Sequence, residues 1–386
     1  MSPPPPQPGT RLRSLDGLRG VAAVVVLVHH LLLLVPSLAA VYFAGNAPPP
    51  QGALAWVLSY TPAHLLWAGT EAVYLFFVLS GLVLVLPVLA RLDFGWLAYY
   101  PRRAVRIYGP VAAAVVLGLL AYLVAPRSND PASSEWVNRR PDDYPLRAVL
   151  SDLTLVDGHS GRISPLWSLQ WEVLFSFLLP LFVVLVVVGR RFDLLKAVAL
   201  LGLCALASSY GNRPLLYLPM FGLGALTASR WDDIGAFVRS CAGRWRPFWF
   251  GALVVAVLLT PSRWLLTAVG VSPATAGDQQ VLALLGVWLL VVVAGWCPWA
   301  VRLLTTPLLQ WLGRISFSLY LVHEPLVLSV RFLTFSAPLW VTVLVAVPLA
   351  LVTAVLFERW VESRFHRLAK VVGRRVQHRV DTLRAV

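Results

Sequence analysis

The chain has 386 residues, of which 58% are apolar and 13% charged, with a mean hydropathy of +0.74. A soluble domain carries about 25% charged residues, so the composition excludes a soluble globular protein and indicates an all-α polytopic membrane protein. The formal charge of +14 reads as basic flanks that orient membrane helices, and no nucleic-acid partner is expected. Lysine occurs only at Lys196 and Lys370. The basic groups are therefore guanidiniums, which stay charged and hold oxyanions in a planar fork. Cys204, Cys241 and Cys297 are scattered with no CxxC spacing, which points to neither a disulfide framework nor a zinc site.

In chain order, residues 1–10 are proline-rich and read as disordered, 11–360 as a transmembrane domain, and 361–386 as a basic cytoplasmic tail. Ten apolar stretches of bilayer length fall near 15–36, 68–90, 104–125, 166–188, 194–210, 214–230, 246–261, 280–299, 309–332 and 337–357. The seventh is short, and "WLLTAVGV" after it reads as a re-entrant or interfacial piece. With the N-terminus in the cytoplasm, about three-quarters of the 32 Lys and Arg residues fall on the cytoplasmic side. That bias predicts cytoplasmic N- and C-termini and an even number of spans. The first apolar run is too long, and too interrupted by polar residues, for a signal peptide.

Ionisable groups at membrane depth are costly and need partners or a task. The first span, "RSLDGLRGVAAVVVLVHH", holds Asp16, Arg19, His29 and His30. At about 100° per residue, Arg19 and His30 lie within roughly 20° of each other, with about 16 Å of rise between them. His29 points roughly 80° away from Arg19. Two readings stand for this stripe: capping, snorkelling and helix packing, or a functional path. Glu71 opens the second span from the outer side, and Ser80-Gly81 reads as a close-packing pair. Arg103 and Arg106, spaced i,i+3 in "YYPRRAVRIYGP", share a face at the start of the third span. They read either as positive-inside charge or as an anion clamp. Ser168 and Glu172 in "SPLWSLQWEVLFSF" are spaced i,i+4, and Glu172 is expected about two turns below the outer surface. Ser316, Tyr320 and His323 share one face of "LGRISFSLYLVHEPL", with Arg314 at its cytoplasmic start. Arg19, Arg103, Arg106 and Arg314 are thus expected near the cytoplasm, and His30, Glu172 and His323 in the outer half, with Glu71 as a further outer group.

Five stretches in this order, "SLDGLRGVAAVVVLVHH", "YLFFVLSGLVL", "RRAVRIYGP", "PLWSLQWEVLFS" and "LGRISFSLYLVHEPL", resemble the acyltransferase-3 family of integral-membrane O-acyltransferases. The resemblance covers residues 11–360. The family's Arg-x10-His pattern falls on Arg19 and His30, its RxxR on Arg103 and Arg106, and its WSLxxE-like stretch on Trp167, Ser168 and Glu172. Its late SYxxYLxH-like stretch falls on Ser316, Tyr320 and His323, with Phe317 where a Tyr is common. The resemblance implies transfer of an acyl group, often acetyl, from acyl-CoA to a hydroxyl of a polysaccharide, lipid-linked sugar or macrolide-like product. It also implies a multi-pass cell-membrane protein, and the Arg- and Ala/Val-rich composition suits a high-GC bacterium, so the membrane is taken as a bacterial inner or plasma membrane.

On this reading acyl-CoA (acetyl-CoA in the simplest case) is the donor, with no metal. Arg19, Arg103, Arg106 and Arg314 hold its phosphates. His30 is the general base or an acyl relay, oriented by Glu172. Tyr320, His323, Ser316, Trp167, Ser168 and Glu71 are expected to contact substrate. Two other classes stay open at the level of sequence: a transporter or flippase for a lipid-linked sugar or small molecule, whose proton relays use the same residue types, and a scaffold bundle in which none of these residues matters.

Overall fold

A computed structural model describes residues 8–44, 52–90, 94–156, 160–245, 247–271 and 276–384. Met1–Gln7, part of the stretch expected to be disordered, lie outside the described residues, and helix begins at Pro8. The described residues contain helices and no strand. Apolar backbone in a bilayer must satisfy its hydrogen bonds internally, and the helix does so within one segment.

Each of the ten apolar stretches is helical. In order they are α1 (Pro8–Leu32), α2 (Gly69–Leu89), α3 (Trp96–Val124), α4 (Leu166–Val187), α5 (Asp193–Tyr210), α6 (Arg213–Ser229), α7 (Phe248–Leu259), α8 (Ala276–Trp296), α9 (Pro307–Leu333) and α10 (Leu339–Phe357). The tail folds as α11 (Ser363–Arg384), joined to α10 through one π-helical turn. Among the described residues, seven helices are long and apolar enough to cross a membrane, and eight if the bent segment ending in α7 counts as one span. Two of the ten fall short for clear reasons: α6 has only 17 residues, and α9 is interrupted by Arg314, His323, Glu324 and Arg331. The protein is a multi-pass membrane protein.

The chain divides into two compact units. The first comprises residues 1–29, 40–90 and 180–316. Here α2 and α6 touch at backbone distance: a Cβ on Gly81 would overlap the Phe221 carbonyl, and one on Gly224 the Val78 carbonyl. Small residues permit this approach, and the packing comes from van der Waals contact because lipid gives no hydrophobic drive. The Ser80-Gly81 expectation is met at Gly81. A second close crossing joins α1 and α9, with Gly20 against the backbone of Gly313 and Gly313 against that of Asp16. "WLLTAVGV" lies over a short helix, Ser262–Ala268, and the following turn.

The second unit comprises residues 30–39, 91–179 and 317–386. The first half of α4 runs antiparallel to α3: Ile163 packs on Gly118, and the Tyr100 hydroxyl donates to the Phe177 carbonyl at 3.2 Å. α11 also runs antiparallel to α3, with Phe365 against Gly109, Arg102 against Gly373 and Gln377 against Gly95. The segment between α3 and α4 does not stay at one end of the unit. The Tyr122 hydroxyl donates to the Pro141 carbonyl at 3.2 Å and the Tyr108 hydroxyl to the Thr154 carbonyl at 3.1 Å. That segment therefore runs about 20 Å along α3 and returns to Gly118 by Ile163, just before α4 begins.

Candidate active site

His30 lies in the second unit, near the end of α1. Its Nδ1 is 2.9 Å from Nε2 of His323 on α9, and the ring centroids are 4.9 Å apart. His323 is fully buried, and its Nδ1 lies 2.8 Å from the carbonyl of Leu319, one turn earlier. A carbonyl only accepts, so Nδ1 of His323 carries the hydrogen. In the neutral pair His323 Nε2 then carries the lone pair, His30 Nδ1–H donates to it, and the tautomer of His30 puts its own lone pair on Nε2. The indole of Trp136 packs against His30 at 5.3 Å between centroids. His29, one residue away, faces elsewhere: its Nδ1 bonds the Trp67 carbonyl at 2.9 Å and its ring meets Tyr42 edge-on. The roughly 100° step between neighbouring helical residues gives the two imidazoles different surroundings.

Beside His323, Glu324 is fully buried. It accepts from Arg140 Nη1 at 3.0 Å, from the Ser164 backbone N–H at 2.9 Å and from Ser164 Oγ at 2.9 Å. A carboxylate buried this deeply needs such a set of partners. The Arg140 guanidinium lies over Trp136, 5.1 Å from its centroid. One turn back along α9, the Tyr320 hydroxyl is 2.7 Å from Ser168 Oγ. Two contacts with one register, 320 to 168 and 324 to 164, set α9 antiparallel to the start of α4.

Glu172 is engaged elsewhere than the sequence indicates. It ion-pairs with Arg103, whose Nε also donates to Ser176 Oγ at 3.0 Å. A direct ion pair is incompatible with Arg103 at the cytoplasmic edge and Glu172 in the outer half. The segment before α4 returns to Gly118 by Ile163, so α4 begins beside the later part of α3, and running antiparallel to it brings Glu172 to Arg103 in the first turns of α3. The group seated on His30 Nδ1 is His323, while Glu172 neutralises the guanidinium that was expected to hold phosphate.

The remaining expected residues separate. Arg106 and Arg102 are exposed on α3, and both, with Lys370 of α11, lie within electrostatic reach of His366. In the first unit, Arg19 and exposed Arg314 flank the Gly20–Gly313 crossing of α1 and α9. Ser316 Oγ donates to the Gly313 carbonyl of its own helix at 2.8 Å, so that hydroxyl's hydrogen is committed locally. Glu71 is buried in the first turn of α2, within reach of Arg263 and Trp264. Trp167 is half-buried beside Ser168. Sequence reasoning missed Glu324, Arg140 and Ser164. The signal for Glu324 lay in plain sight, directly after His323 in "VHEP".

The comparisons with known proteins agree with the chemistry these residues offer. A family model described as an acyltransferase domain matches residues 12–359. No curated protein and no solved structure matches the chain. The match spans nearly the whole chain, and the chain belongs to the acyltransferase-3 family: it is a membrane acyltransferase.

Proposed function

We propose that this protein transfers an acyl group, acetyl in the simplest case, from acyl-CoA to a hydroxyl of a carbohydrate or glycosylated natural-product acceptor, with His30 as general base. The observation that carries the reading is the 2.9 Å contact from His30 to a histidine whose own Nδ1 is held by a backbone carbonyl. That arrangement leaves His30 Nε2 basic. The acceptor O–H gives its proton to Nε2 while its oxygen bonds the thioester carbonyl carbon. The C–S bond then breaks, and the departing thiolate takes the proton back from His30. As His30 becomes imidazolium, His323 accepts its Nδ1–H, the service a buried acceptor gives to catalytic histidines generally. His323 is thus proposed as a positioning residue, with Tyr320 and Ser168 as hydroxyls for the acceptor.

Arg106, with Arg102 and Lys370, is the proposed docking place for the donor's phosphates, since several cations gather there around His366. Arg103 is a weaker choice because Glu172 already occupies it. Arg19 and Arg314 form a second cationic place in their own unit and are to be tested separately. All ten helices are proposed to cross the bilayer, with both termini cytoplasmic and the host membrane a bacterial inner or plasma membrane. The basic bias of the loops supports that orientation.

The test uses purified full-length protein in nanodiscs with radiolabelled acetyl-CoA and a panel of sugar and macrolide acceptors. The expected result is CoA release with stoichiometric acylation of a hydroxyl. Label trapped on His30 in the absence of acceptor would indicate an acyl-histidine relay, and solute movement without CoA release would indicate transport.

A further inference from the structure

Arg127 follows the end of α3 and is 94% buried, with a relative exposure of 6%. Its guanidinium lies between two aromatic rings, 4.6 Å from the centroid of Tyr122 and 4.9 Å from that of Phe332. Nη2 reaches Ser329 Oγ at 3.4 Å and the Tyr122 hydroxyl also engages the guanidinium, while Nε and Nη1 have no acceptor in hydrogen-bond geometry. Among the described residues no carboxylate forms an ion pair with it. Glu324 is the acidic group that acts on Arg127, and it is already committed to Arg140 and Ser164. A buried and a part-buried cation therefore share one carboxylate. Burial lowers the pKa of Arg127 from its ordinary value, yet a guanidinium stays protonated. A buried charge with two idle donors is costly unless an anion completes it.

We propose that Arg127 is an oxyanion subsite that receives a carboxylate or phosphate carried by the acyl acceptor, its Nε and Nη1 donating to two oxygens of that group. The aromatic faces of Tyr122 and Phe332 hold the guanidinium flat and exclude water, which strengthens a charge-assisted fork. Ser329 lies six residues beyond His323 on α9, about 9 Å along the helix axis. An acceptor anchored at Arg127 would thus carry its acidic group about that far from the hydroxyl at His30. This substrate class, an acidic hydroxyl compound, deepens the proposed acyl transfer and rests on it.

The test reads binding without turnover, so its failure is distinguishable from failure of the acyltransferase reading. Full-length protein in phosphatidylcholine nanodiscs is heated with inorganic phosphate, or with chloride at equal ionic strength, following tryptophan fluorescence. Wild type should gain about 3 °C in Tm at a hundredfold excess of phosphate over its dissociation constant. Arg127→Gln should keep only the smaller part of that gain that the exposed Arg106, Arg102 and Lys370 supply, while its response to CoA stays that of wild type. Arg127→Lys keeps the charge and loses the fork; it should bind phosphate at least about tenfold more weakly, which keeps the test valid if the glutamine variant fails to fold. A second arm replaces phosphate by phosphatidylglycerol in the disc. An Arg127-dependent gain there and not with phosphate would assign the oxyanion to a lipid headgroup and overturn the acceptor assignment. Equal stabilisation of wild type and both variants, or none of any, would overturn the site itself.

Discussion

His30 Nδ1 and His323 Nε2 lie 2.9 Å apart although 293 positions separate them in the chain. The Leu319 carbonyl fixes which nitrogen of His323 bears hydrogen, and His323 in turn fixes the tautomer of His30. The polarity of the base is thus traceable to one backbone carbonyl on α9.

Removing His323 should therefore damage chemistry more than binding. His323→Ala is expected to lower kcat by roughly 10²–10⁴-fold with little change in the donor KM, and His323→Gln, whose amide oxygen still accepts, should recover part of the loss. Steady-state kinetics across pH provide the check. A proton added to the hydrogen-bonded pair removes the lone pair at His30 Nε2. Wild-type kcat/KM should fall on the acid side, and the position of that limb should move in His323→Gln. An unchanged acid limb would argue against coupling between the two residues.

Arg103 and Glu172 should behave as one unit. Arg103→Gln and Glu172→Gln are each expected to reduce activity, with the double variant no worse than the poorer single variant, as coupled partners do. Arg106→Gln should instead raise the KM for acyl-CoA. Finding the donor KM effect at Arg103 and additivity with Glu172 would return Arg103 to the phosphate-binding role.

Glu324 is fully buried against Arg140. Deleting either partner leaves an uncompensated buried charge and should cost about 3–5 kcal/mol. Removing both should cost less than the sum of the two. Thermal unfolding in nanodiscs, read by tryptophan fluorescence, distinguishes this from independent roles.

The glycines at helix crossings make a sharp contrast. Gly224→Val drives a side chain into the Val78 carbonyl, so α2 and α6 must part, and folded yield should drop severely. Gly202 on α5 has nothing within 4 Å of where a Cβ would sit. Gly202→Ala should be tolerated and gain about 0.5–1 kcal/mol from helix propensity. Size-exclusion yield and Tm of the two variants check both outcomes.

The ten helices were legible in the sequence because apolar length is a property of the chain alone, and helix bounds follow it within a few residues except at the starts of α1 and α3, which lie seven and eight residues earlier because polar and basic residues there continue the helix. His30 and His323 were legible because each is a titratable group in an otherwise apolar run. What hydropathy does not encode is depth. Ile163 on Gly118 sets the start of α4 beside the later part of α3, yet only the contact with Arg103 reveals how far along α3 Glu172 sits. Arg140 escaped for a related reason. "VNRRPDDYP" has the composition of a solvated loop, and its burial against Glu324 depends on a tertiary pairing that local sequence does not signal. Tautomer control by the Leu319 carbonyl is likewise invisible until the two rings are seen face to face.

The most direct test is the kcat of His30→Ala with labelled acetyl-CoA and the best acceptor from the panel, on protein whose Tm matches wild type. Loss of transfer to background, with CoA still binding, is the expected result. Transfer at a rate near that of wild type would contradict the assignment of His30 as the base and remove the reason for placing the chemistry at this pair of histidines.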